Sequence, residues 1–172
     1  MAGSMIRARE LKASSLEGFA VAESQYVVAR LGGQQYGIGI SDVNQIIRAV
    51  EPTPIPGLHG EIEGIINLRG RIIPVVDLRP RLGLYVDEPS RDSRIVVVNI
   101  QGHDVGLYVD AVSEVLAIPD EVIEAPDNLV LDFDATHLHG IAKLEDRLIL
   151  LLELASALDV AEIADSTVLT AA

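Results

Sequence analysis

The chain has 172 residues with no Cys, four Tyr, two Phe and no Trp; 13 Lys and Arg face 26 Asp and Glu, and 49% of the residues are hydrophobic. An apolar fraction this high excludes disorder for the bulk, and the missing Cys excludes disulfides, a thiolate nucleophile, an iron–sulfur cluster and a Cys-based zinc site, leaving a cytosolic protein as the expectation. The most apolar runs, 95–98 and 148–152, are far short of the roughly 20 residues of a membrane span, so one domain, or two small halves sharing a core, is expected.

In chain order, residues 1–4, ahead of a second Met at position 5, read as an artificial extension, and 1–23 as a leader, disordered or briefly helical. From Tyr26 the pattern turns to short β-branched runs. YVVARL and QQYGIGI flank Gly32 and Gly33 and predict a hairpin whose turn needs positive φ at both central positions. Ser41 and Asp42 are placed to cap a short helix running through Ile47. PTPIPG at 52–57 lacks ladder donors and reads as a loop. EGIINL and RIIPVVDL flank Arg69 and Gly70 as a second hairpin, 86–93 is a polar linker, and SRIVVVNI, QGHD and VGLYVD form a third.

The pattern then repeats. A shift of 69 places Val27, Val28, Gly33, Gly37 and Val43 on Val96, Val97, Gly102, Gly106 and Val112; a shift of 76 places GIINLRGRIIPVVDL (64–78) on GIAKLEDRLILLLEL (140–154). Each half reads strand, turn, strand, short helix, loop, strand, turn, strand, which points to two small antiparallel barrels of mainly β structure. Each half alone is short of apolar area, so a common interface is the expected source of stability. The expected boundaries are 24–158 for the folded unit, about 26–85 and 93–154 for the two cores with exchange of strands left open, and an acidic Ala-rich tail at 159–172.

Residues 1–100 hold 11 acids and 11 bases, whereas 101–172 hold 15 acids and only Lys143 and Arg147 as bases. Such a field argues against nucleic acid or an anionic leaflet as partner. The single basic island is Arg69, Arg71, Arg79 and Arg81, with Asp77 among them. Phosphate-loop, nucleophile-elbow, dinucleotide and zincin motifs are all missing from the chain. The remaining chemical option is a metal- or small-ligand-binding barrel that uses the acidic 120–139 segment, with Asp127, Asp132, Asp134, His137 and His139.

The stretch NLRGRIIPVVDL at 67–78, with GIGISDVNQII before it and VGLYVDAVSEVL and GIAKLEDRLILLLEL after it, resembles the CheW family of bacterial chemotaxis coupling proteins over about 24–158. The resemblance implies two SH3-like five-stranded barrels around a common core, no catalytic activity and no cofactor. It implies a scaffold that joins chemoreceptor tips to a CheA-type histidine kinase at receptor arrays, with weak self-association. It would place Val43, Ile46 and Gly64 on the kinase-facing or groove-lining surface, Asn67, Arg69 and Gly70 at the hairpin tip, and Gly106, Val112 and Val115 on the opposite wall of the receptor groove. Family members carry V-x-E-I where this chain has V-N-Q-I, so Gln45 departs from the pattern and puts a charge pair at that position in question. Independently of the resemblance, Arg69 sits at a turn where packing requires no long cation, and the rigid guanidinium fork suits an interface.

Overall fold

A computed structural model describes residues 22–57, 62–126 and 137–158. The expected leader, the tail from 159 and Asp127, Asp132 and Asp134 lie outside the described residues, apart from the leader's last two positions. The strands are β1 (Glu23–Leu31), β2 (Gln34–Gly39), β3 (Val43–Arg48), β4 (Ile62–Leu68), β5 (Arg71–Val76), β6 (Arg94–Ile100), β7 (His103–Val109), β8 (Ala111–Pro119), β9 (Ile123–Glu124), β10 (Leu138–Lys143) and β11 (Leu148–Leu152). The three predicted hairpins form, and their central residues have positive φ: Gly32 and Gly33, Arg69 and Gly70, Gln101 and Gly102.

The two short helices do not form. A 3-10 turn at Ile40–Asp42 without a side-chain cap gives way to β3, and β8 occupies the equivalent place in the second half. Ser41 and Asp42 do not start the expected helix, and the strand that follows is bulged. Asn44 is an extra residue in the β3–β6 register, between Val43 opposite Val98 and Gln45 opposite Val97. A bulge resets the alternation of the strand, so Val43 and Ile46, three apart, both pack on one core, imitating helical spacing. Ser113 is the same extra residue in β8, between Val112 opposite Ala29 and Glu114 opposite Val28, with Val115 three beyond Val112.

The strands build two sheets, in the orders β8-β1-β2-β11-β10-β9 and β3-β6-β7-β5-β4. The first hairpin of each half therefore lies in the sheet built otherwise from the other half. The duplication holds down to single pairs: parallel β5 and β7 put Val75 opposite Gly106, and parallel β11 and β2 put Leu151 opposite Gly37, the same positions under shifts of 76 and 69. A second repeated bulge sits between Ile62 and Gly64 and between Leu138 and Gly140.

Alternation along the central strands feeds two cores at once, which is why their sequences are continuously apolar. Ile95 and Val97 of β6 face Ile66, Ile73 and Val75 within the five-stranded sheet, while Val96, Val98 and Ile100 face Val27, Ala29 and Leu31 of β1 in a core between the sheets. Tyr26 and Val28 face Ile118, Ile149 and Leu151 within the six-stranded sheet. Residues from opposite edges share these inner clusters, Ile47 with Leu68 and Leu116 with Ile123, so each sheet curls around its own core.

Candidate docking surface

Four arginines that look alike in the sequence have four different settings. Arg79 is buried, 4% exposed at the side chain, where its Nε and Nη2 donate to Asp77 at 2.9 and 2.8 Å and its Nη1 donates to Asp110 at 2.8 Å. Its guanidinium carbon lies 4.7 Å from the centre of the Tyr108 ring. The hydrogen bonds it donates to Asp77, against the cost of burial, raise its pKa above the usual guanidinium value. Arg81 donates to the Ala157 carbonyl at 2.7 Å. Arg71 pairs with Asp104 at 2.6 Å. Arg69 is exposed at the hairpin tip with φ +55°, a conformation that costs an L-residue free energy and collects at functional sites.

Three segments share one end of the five-stranded sheet. Because β5 runs parallel to β7, the start of β5 lies beside the β6–β7 turn, and the start of β3 pairs with the end of β6. The β4–β5 tip (Asn67 to Gly70), the Asn99–Asp104 turn and Val43 to Gln45 therefore meet. Asn67 Oδ1 accepts from the Gly70 N–H at 2.9 Å and shapes the tip. Asp104, 6% exposed at its side chain, accepts from Asn44 and Asn99, both at 2.9 Å, besides Arg71. Sequence reasoning counted Arg71 in the basic island but did not single out Asn44 or Asp104. The signal was present in the repeat, which sets Arg71 on Arg147 and Asp104 on Gln35.

Of the other expected positions, Val43 is buried in the core between the sheets, and Ile46, Val112 and Val115 are partly buried against that same core. Two edge strands, β3 and β8, thus offer equivalent residues over one apolar floor. Gln45 is half-buried on β3. Gly64 and Gly106 are buried, and packing explains them: a Cβ on Gly64 would lie 2.8 Å from the Thr53 carbonyl carbon, and one on Gly106 would lie 2.8 Å from Ile95 Cγ2.

A cleft of about 420 Å³ between the sheets is lined by Tyr26, Asp42, Asn99, Gln101, His139 and Glu153, among others. Burial, and then the charge of Glu153, raise the Asp42 pKa above the ordinary carboxylate value. His139 Nδ1 lies 3.7 Å from Glu153, and His137 Nδ1 is buried without a hydrogen-bond partner. Among the described residues no three His, Asp or Glu are gathered to hold a metal, and none of the helices is long and apolar enough to cross a membrane.

Residues 25–162 match the family described as the CheW-like domain. The chain belongs to the CheW family. It is 35% identical over 132 residues to the chemotaxis protein CheW of Rhizobium meliloti (strain 1021), covering 77% of this chain and 85% of that one. It is 34% identical over 134 residues to CheW of Bacillus subtilis (strain 168), covering 77% and 85%. Among solved structures, the scaffolding protein TtCheW from Thermoanaerobacter tengcongensis shares the fold with a TM-score of 0.73 at 41% identity, covering 80% of this chain and 94% of that one. The mainly β, two-sheet architecture is thus that of a CheW protein, and the hairpin end and edge strands described above are elements of that fold.

Proposed function

We propose that this chain is a noncatalytic scaffold that couples chemoreceptors to a CheA-type histidine kinase in chemotaxis signalling and works at membrane-attached receptor arrays through its partners. Relatives named as chemotaxis proteins and a structural neighbour titled as scaffolding protein support the reading. The observation that carries it is the docking end of the five-stranded sheet, where the exposed Arg69 sits at an ordered hairpin tip whose neighbour Arg71 is linked through Asp104 and Asn44 to the start of the edge strand β3. The positive φ is what the hairpin turn requires, as at Gln101; the long cation that packing does not need at Arg69 is what points to recognition. The kinase regulatory domain is assigned to this end. The receptor's helical tip is assigned to the apolar floor between β3 and β8, where side chains at helical spacing find Ile46, Val112 and Val115.

The test is calorimetric titration with the isolated regulatory domain of a CheA-type kinase from the same genome. Arg69→Glu is expected to weaken binding by more than about tenfold, 1.4 kcal/mol. Equal binding by the variant would remove Arg69 from the interface; no binding by the unaltered protein to any such kinase would overturn the reading.

A further inference from the structure

The repeat supplies an internal control for the Asp104 node. Under the shifts of 69 and 76, Gln45 corresponds to Glu114, Arg71 to Arg147, and Asp104 to Gln35. In the six-stranded sheet Arg147 grips Glu114 with two hydrogen bonds, 2.8 and 3.3 Å, tying the approach to β11 to the edge strand β8. In the five-stranded sheet the position of Glu114 holds the neutral Gln45, and Arg71 turns instead to Asp104. The counterpart of Asp104 is the amide Gln35, whose Oε1 is buried with no hydrogen-bond partner. Acid and amide have exchanged places between two equivalent positions, and each arginine follows the acid.

We infer that Asp104 is the positioning residue of the docking end. It fastens the start of β5, and with it the tip bearing Asn67, Arg69 and Gly70, to the edge strand β3 through Asn44, the task that position 45 would perform with an acid. The inference rests on the docking reading above and deepens it. An exposed arginine paired with an exposed acid holds little. Here the carboxylate is buried and takes three donors from three different strand segments, so removing its charge leaves none of them well anchored.

The test compares the unaltered protein with Asp104→Asn, Gln45→Glu and the double variant, by titration with the kinase regulatory domain and, without any partner, by amide exchange at Asn44 and across residues 67–71. Asp104→Asn is expected to weaken binding by about tenfold and to speed exchange at both places. Gln45→Glu added to it should restore both, by giving Arg71 the acid that Glu114 gives Arg147. A merely structural defect would not be repaired from another strand. Binding and exchange left unchanged by Asp104→Asn, or a loss that Gln45→Glu does not repair, would overturn the inference. If the unaltered protein does not bind, the docking reading falls and the exchange comparison alone decides the positioning role. Arg71→Gln, at a side chain 70% exposed, gives the same exchange readout should Asp104→Asn unfold.

Discussion

Arg79 and Asp110 form a buried ion pair, 2.8 Å from Nη1 to Oδ1, that joins the end of the β4–β5 hairpin to the β7–β8 junction. The other carboxylate oxygen of Asp110 accepts from the Gly32 N–H at 2.8 Å, in the turn of a hairpin that belongs to the other sheet. One residue therefore holds both sheets. Asp110→Ala leaves the Arg79 charge with Asp77 as its one carboxylate partner, beside the Asp87 carbonyl, and orphans the Gly32 N–H, and should cost about 3–5 kcal/mol, read from denaturant unfolding. Glu114→Gln breaks the half-buried pair with Arg147 and should cost at most about 1 kcal/mol. Similar losses for the two would show that Asp110 is not the tie between the sheets.

Asp42 is an acid whose folded state prefers the proton, because burial and then Glu153 oppose its charge. A raised folded pKa means that its favourable contribution is complete below the ordinary value of 3.8 and is lost as pH rises through the folded value. Asp42→Asn is thus expected to be more stable than the parent at neutral pH and to lose that advantage on acidification toward 3.8. Glu153→Gln should shrink the advantage. A parallel offset at every pH, followed by thermal unfolding from pH 3 to 7, would contradict this assignment.

The hairpins were legible because their turns announce themselves locally: a pair of residues ending in Gly between β-branched runs admits few other structures. The repeat was legible for the same reason, and its registers recur pair by pair. The edge strands β3 and β8 were not, since Ser41 and Asp42 offer helix caps ahead of β3 and a bulge at Asn44 and at Ser113 breaks the alternation that marks a strand. Nor was the partition of hairpins between sheets, because two copies of one pattern bury equivalent faces either way. At the docking end, Arg69 and its tip were legible as a turn bearing a cation that packing does not need. Asp104 was hidden because its partners come from three places in the chain.

The glycines at close approaches should rank by what opposes an added methyl. At Gly37 the obstruction is the terminal methyl Leu151 Cδ2 at 2.7 Å, which can turn aside, and at Gly106 it is Ile95 Cγ2 at 2.8 Å, a methyl on a β-branched carbon that yields less readily. At Gly64 it is the backbone carbonyl of Thr53, which accepts from the Ile65 N–H at 3.0 Å while the Thr53 N–H donates to the Ile65 carbonyl at 2.8 Å. Ala at Gly37 or Gly106 should cost about 1–3 kcal/mol, and Ala at Gly64 more than either. Thermal or denaturant unfolding of the three variants gives the order, and a Gly64→Ala protein as stable as the other two would show that the Thr53 segment yields readily.

Arg69 and Gln101 are the two non-glycine residues with positive φ among the described residues, +55° and +52°, each first in a hairpin turn followed by Gly. Gly in either place removes the strain of a left-handed L-residue but widens the unfolded ensemble, so each substitution should raise stability by a net of about 0.5–1 kcal/mol. Binding separates them. Arg69→Gly keeps the turn and deletes the guanidinium, so it should gain stability while losing affinity for the kinase regulatory domain; Gln101→Gly should gain stability and keep its affinity. Equal losses of affinity would mean that the turn geometry of this end of the sheet, rather than the charge of Arg69, is what the partner reads.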